Sequence, residues 1–174
     1  MPDRKRFGLQ SPRELLAKLD WELAQFDRPV VSDEEISSYR AFNCAVTAWS
    51  RCDWVWNAAS DETKAAVRAV SPKPDANGSE VLAALFRLES RELAICQQLA
   101  NGAKHFVLNK HNDPNVASLR MPGVSFFESK DGREHRIVPS VGVFIQDGSK
   151  MCSGIGLFSR ARDYWYKFFD RFSL

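Results

Sequence analysis

The segment Ser32-Asp-Glu-Glu-Ile-Ser-Ser-Tyr-Arg-Ala-Phe-Asn-Cys-Ala-Val-Thr-Ala-Trp-Ser-Arg-Cys-Asp-Trp-Val-Trp-Asn57 decides how this chain folds. Ser32-Asp-Glu-Glu35 is a capping box, in which a serine hydroxyl and a glutamate three residues on satisfy the free N–H groups at a helix start. From Ile36 to about Ala59 no proline or glycine interrupts the run. Tyr39, Phe42, Val46, Trp49 and Trp56 recur at helical spacing as one stripe, and Cys44, Ala48, Cys52 and Val55 form another. A helix apolar nearly all round belongs at the centre of a bundle.

Working outward, Ser11-Pro12 followed by Glu14 starts an earlier helix, with a serine cap, proline in the first turn and an acid at the positive end of the helix dipole. Leu15, Leu16, Leu19, Leu23 and Phe26 give it one apolar face, and Arg28-Pro29 stops it. Ser60-Asp-Glu opens a short third helix to Val70, and Ser71–Gly78 is a loop of turn formers. Ser79 is expected to cap a fourth helix carrying Val81, Leu82, Leu85, Phe86 and Leu88, with a break near Ser90 before Leu93, Ile95, Cys96 and Leu99. From Met121 the period switches to two over Val124-Ser-Phe-Phe-Glu, Arg136-Ile-Val and Val141-Gly-Val-Phe-Ile, and Asp131-Gly132 and Asp147-Gly148 are tight-turn signals. Phe158, Ala161, Trp165, Phe168, Phe169 and Phe172 share one face of a final helix that should return to the bundle. The expected fold is mainly α: one domain over residues 1–174, with a helical bundle (11–119), a small antiparallel β-meander (121–153) and a C-terminal helix (156–174).

A chain of 174 residues, 44% hydrophobic, can build one sizeable core but hardly two. A net charge of +2 leaves no global field to draw it onto nucleic acid or membrane, so such binding would have to be local. Neither a membrane span nor a secretory leader is read, and a cytoplasmic protein is expected. Cys44, Cys52, Cys96 and Cys152 lack a Cys-x-x-Cys pair and read as reduced, buried thiols. The chain has no His-Glu-x-x-His, paired-acid, Walker, nucleophile-elbow or zinc spacing, so no cofactor and no metal site are expected. Gly154-Ile-Gly156 lacks the third glycine of a dinucleotide loop and reads as a flexible turn.

Two places carry candidate chemistry. Asp53, one turn from Trp49 and beside Trp54, would be costly if buried without a cation. Arg51, two residues away, projects from another side of the helix, which leaves Lys104 and His105 as the expected partners. The second place is Asn101-Gly-Ala-Lys-His105, where Asn101 and His105, four apart, would share a helix face. The same residues can equally be the polar end of a helix, with Asn101-Gly102 as its cap. On the last helix Arg160, Arg162, Lys167 and Arg171 are interleaved with Tyr164 and Tyr166, a pattern that can meet phosphates and stacked bases, or that can be a solvated face balanced by Asp163 and Asp170.

Two long helices, an Asn-x-x-x-His near the end of a later one and a closing helix together resemble the HEPN superfamily, over about residues 33–112 and the last helix. That family consists of compact helical bundles found in prokaryotic defence and toxin systems, many of them metal-independent ribonucleases whose motif is an arginine, often followed directly by asparagine, then four to six intervening residues and a histidine. The resemblance implies RNA or nucleotide binding, with Asn101, Lys104, His105 and Asp53 as the candidate catalytic set. Here the position directly before Asn101 is Ala100, and Lys104 could supply only a point charge, roughly 100° around the helix from His105. Cleavage of RNA needs both a base and a fixed cation at the phosphoryl centre. The chain also resembles uncharacterised bacterial and phage-associated proteins. Two functions follow: a HEPN-like domain that binds RNA or nucleotide with little or no nuclease activity, the alternative being a toxin-like ribonuclease using His105 and Lys104; and a non-enzymatic module with a protein partner, for which a homodimer is compatible.

Overall fold

A computed structural model describes residues 7–28, 34–104, 113–128 and 135–174. Its order is α1 (Pro12–Phe26), α2 (Glu34–Ala58), α3 (Asp61–Val70), α4 (Glu80–Glu89), α5 (Arg91–Lys104), β1 (Val116–Glu128), β2 (His135–Asp147), β3 (Lys150–Ser153) and α6 (Gly154–Phe172). The protein is mainly helical, with a three-stranded antiparallel sheet of order β1-β2-β3 placed before the last helix. Among the described residues no helix is long and apolar enough to cross a membrane.

The starts of the elements follow local chemistry. The hydroxyl of Ser11 accepts from Glu14 N at 3.2 Å, that of Ser60 from Thr63 N at 3.2 Å and that of Ser153 from Gly156 N at 3.2 Å. Ser90 separates α4 from α5, and its hydroxyl accepts from Leu93 N at 3.2 Å. Ser79 departs from its expected role: it makes no cap bond, and its hydroxyl donates to Asp53 instead. Gly148, at φ +60°, takes the left-handed conformation that the turn between β2 and β3 requires. The Asp131-Gly132 turn lies outside the described residues.

α2 is central, but its aromatic stripe is not its buried side. Ala41, Cys44, Ala45, Ala48, Cys52 and Val55 are buried, whereas Tyr39 and Phe42 are about half exposed. Small residues are what let α1, α5 and α6 approach one helix closely from several directions, leaving the large rings at the rim. The bulk is supplied from outside: Leu16, Leu19 and Leu23 from α1, Phe86 from α4 and Phe158, Trp165, Phe168 and Phe169 from α6. Trp165 is fully buried, stacks edge-on to Phe86 (centroids 4.7 Å apart) and donates its indole N–H to Ala48 O of α2 at 3.0 Å. Close approach also explains Gly154, read from sequence as part of a flexible turn. It opens α6, and a Cβ there would lie 3.0 Å from Val143 O and 3.1 Å from the Phe26 ring.

The sheet begins five residues earlier than its sequence pattern, because β1 pairs with β2 from Val116↔Asp147 onward and Val116–Arg120 gain strand structure from that partner. Residues paired across the ladder project to the same side. Val116, Ser118, Arg120, Pro122 and Val124 therefore share a face with Ile145, Val143, Val141 and Pro139. Val143 and Ile145 are buried against the helices, so this is the inner face. Ser37 of α2 donates to Val141 O at 3.1 Å and fastens β2 to the bundle.

Arg51 is fully buried on the small-residue side of α2. Its Nη2 donates to Leu15 O at 3.0 Å and its guanidinium lies 5.2 Å from the Trp165 ring centroid, while Nε and Nη1 have no hydrogen-bond partner among the described residues. Burial pushes its pKa down to about 9, which leaves it charged at neutral pH. A buried charge this incompletely partnered contributes volume and contact more than ion-pair energy. Arg51→Met is expected to stay within about 1 kcal/mol of wild type in urea unfolding, whereas Arg51→Ala, which opens a cavity over Trp165, loses roughly 2–4 kcal/mol. Cys44, Cys52 and Cys96 are buried and Cys152 is partly exposed; burial pushes the Cys44 thiol up to about 12 and also raises the other two buried thiols. Cys152 should therefore alkylate in the native protein well before the other three, which react only on unfolding; equal native rates at all four would contradict this packing.

Candidate functional site

A groove of about 510 Å³ opens between the bundle and the sheet. Its floor is Ala41 and Ala45 of α2, Val143 and Ile145 of β2 and Phe158 of α6. Its walls are Ser38 and Phe42 of α2, the end of α5 (Gln98, Leu99, Gly102) and Val116–Arg120 of β1. The small residues that admit neighbouring helices elsewhere on α2 leave unfilled space here. An apolar floor with a few polar groups at the rim, in the range of a few hundred to 1,000 Å³, is the common form of a binding site.

One arginine holds the base of the groove. Arg91, the first residue of α5, donates from Nη2 to Asp113 at 2.7 Å and from Nε to Asp147 at 3.0 Å, joining the chain ahead of β1 to the end of β2. Asp113 N also donates to Gln98 Oε1 at 3.1 Å. The hydrogen bonds from Arg91 hold both carboxyls below their ordinary range, and those to Asp147 and Asp113 raise the guanidinium pKa in turn.

The expected catalytic residues are described only in part. Asn101 is partly exposed in the last turn of α5 beside the groove, Lys104 ends that helix, and His105 lies outside the described residues. Asp53 is elsewhere. It is exposed and accepts from Ser79 at the head of α4, eight residues beyond Ala45 and so about 12 Å further along α2 from the groove. The expectation that Asp53 is buried is thus corrected: it is exposed, with Ser79 as its hydrogen-bond donor. Asp53 follows Trp49 by four residues and precedes Trp56 by three, so it belongs to the aromatic stripe, which is the rim. Arg51, seven residues after Cys44 and four before Val55, stands in the buried stripe. That spacing is readable in the sequence, but it does not show which of the two stripes the neighbouring helices cover.

The arginines of the basic face of α6 each meet carboxylates. Arg160 donates to Glu92 of α5 at 3.0 Å, Arg171 to Glu89 of α4 at 3.1 Å, and Arg162 to Asp163 at 2.7 Å, with Asp20 of α1 at 3.8 Å. Tyr164 also donates to Glu89, and Tyr166 to Asp20 at 2.6 Å. Lys167 is exposed. The face works as a set of ties from α6 to the other helices, with its positive charge locally compensated. A second concavity, lined by Arg91, Glu92, Asp147, Lys150, Cys152 and Arg160, mixes charges of both signs. Among the described residues no group of three or more His, Cys, Asp or Glu is placed to hold a metal ion.

Asp53→Ala should therefore unfold within about 0.5 kcal/mol of wild type, as an exposed residue does; a loss of several kcal/mol would restore the buried-pair expectation. The Arg91 clamp has a pH signature. Carboxyls held below their unfolded values stabilise the fold above about pH 4, and that contribution is lost as pH falls through their folded values. Amide protection factors at residues 113–118, taken against the intrinsic exchange rate at each pH, should fall on acidification in wild type, whereas in Arg91→Ala they are low already at pH 7 and respond less to acid.

Compared with known proteins, the chain matches no family, no curated protein and no solved structure.

Proposed function

We propose that this protein is a non-enzymatic binding module whose groove between α2, α5 and β1 receives part of a protein partner. The observation that carries this reading is the groove: an apolar floor of buried residues, left open where the sheet meets the bundle and flanked by the half-exposed Phe42 and the partly exposed Leu119. Surface of this kind, rimmed by polar groups, is characteristic of recognition.

The two RNA readings receive less support. Compensated arginines on α6 give a phosphate backbone little net field to follow. At the end of α5, the position where the HEPN resemblance calls for arginine is Ala100, which is 1% exposed. A guanidinium at position 100 would point into the core, away from any substrate, so the departure from the family pattern is built into the packing of α5 on α2. Toxin-like cleavage by His105 and Lys104 would lack a positioned arginine.

The test uses a photo-crosslinking amino acid at Leu119, in the groove, and separately at Tyr166, on the far side of α6. A protein adduct should form in cells from position 119, disappear when Ser118→Trp fills the groove, and not form from position 166. Purified wild-type protein should leave a mixed RNA substrate intact without added metal. RNA cleavage that His105→Ala abolishes with no loss of stability, or adducts equal at both positions, would overturn the proposal.

A further inference from the structure

We infer that the groove takes an extended segment of the partner, bearing an acidic residue, as an added strand on β1; this rests on the groove being the binding surface. β1 is the outermost strand in the order β1-β2-β3, and among the described residues no strand pairs with its outer side. Along such an edge every second N–H and C=O points away from the sheet and can bond a further chain, apart from Val116 N, which donates to Asp113 O at 3.1 Å. Val116, Ala117, Ser118, Leu119 and Arg120 all line the groove. Alternate side chains of a strand project to opposite faces, so five consecutive residues can line one space only if it runs along the strand's edge. The groove is therefore a slot between that edge and the helices, the arrangement in which strand addition gives affinity and side-chain pockets give selectivity.

The slot also has a length and a polarity. Pro122 has no N–H to offer and marks the end of the edge that can pair, leaving Val116–Met121, a run of about 20 Å. Beside that run the helices present Ala41, Phe42 and Leu99, so the side chains of the added strand that face them must be apolar. Asp113, at the near end, already accepts from Arg91 and from Asn115. Arg120, toward the far end, meets no carboxylate among the described residues, in contrast to the arginines of α6. A carboxylate on the partner supplies the missing charge. The competing role for Arg120 is that of a solvated charge guarding an exposed edge against pairing.

The experiment pans a hexapeptide library, varying Val, Thr, Glu and Lys at every position, on the full-length protein and on Ser118→Trp. Enriched peptides should alternate Val with polar residues and carry Glu toward one end. A fluorescein-labelled peptide of that pattern should bind saturably, shift the backbone amides of residues 116–121 in ¹⁵N spectra, and lose about tenfold or more in affinity when alternate amides are N-methylated, the equivalent of about 1.4 kcal/mol. Arg120→Glu should weaken the Glu peptide by about tenfold and favour its Lys counterpart. No enrichment over Ser118→Trp, or undiminished binding after N-methylation in both registers, overturns strand addition; indifference to Arg120→Glu overturns the acidic partner. If the adduct at position 119 forms while no library peptide binds, the groove reading stands and this inference falls. If no adduct forms either, both fall.

Discussion

The fold depends on Trp165 seated against the small-residue side of α2. An indole that gives up water needs an acceptor for its N–H, and Ala48 O provides one at 3.0 Å from the middle of a helix. That acceptor can be reached only because residues 41, 44, 45, 48 and 52 carry no bulk. Once α6 is anchored there, Phe86, Phe168 and Phe169 close around the ring, and the leucines of α1 pack the adjacent side. Arg51 completes the enclosure by lying over the indole ring, 5.2 Å from its centroid. A large aromatic and a buried cation are thus both consequences of one narrow helix surface.

Much of the fold was legible because local signals and packing agreed. Ser11, Ser60 and Ser90 mark helix ends in sequence and do so by hydrogen bonds in the structure. The face of Phe158, Ala161, Trp165, Phe168 and Phe169 was readable because a polar residue on that side of α6 would have no partner in the core. The signals failed where a neighbour overrode them. Val116–Arg120 have little alternation of their own and become strand through β2, and Ser79 gives its hydroxyl to Asp53 in preference to its own helix end.

The candidate site was the least legible part. Periodicity shows that a helix has two apolar stripes; it does not show which one its neighbours select. On α2 the stripe of small residues was selected, which exchanged the expected environments of Asp53 and Arg51. The groove leaves no motif because it is bounded by separate stretches of α2, α5, β1, β2 and α6 that only the tertiary fold brings together. Position 100 shows the limit of motif matching. A resemblance built on spacing treats it as a vacant place for arginine, while the packing of α5 makes it a core position.

The sheet is longer than the bundle surface available to cover it, and this mismatch shapes the exposed part of the protein. Along the inner face of β2, burial persists at Ile145 and Val143, but Ile137 on that same face is 65% exposed and Val124 of β1 is 60% exposed. Beyond Phe144, the last residue of β2 that pairs with β3, the sheet is a two-stranded ribbon among the described residues, an arrangement with little stability of its own in water. Each strand of that ribbon carries a proline, Pro122 on β1 and Pro139 on β2, and each removes an N–H that an aggregating chain could use. Between the prolines and the bundle, Val116–Met121 is the long unguarded edge among the described residues, and it borders the groove. The placement of these blocks leaves open a stretch of backbone that has an apolar groove beside it, which is where selective pairing and avoidance of indiscriminate pairing are compatible.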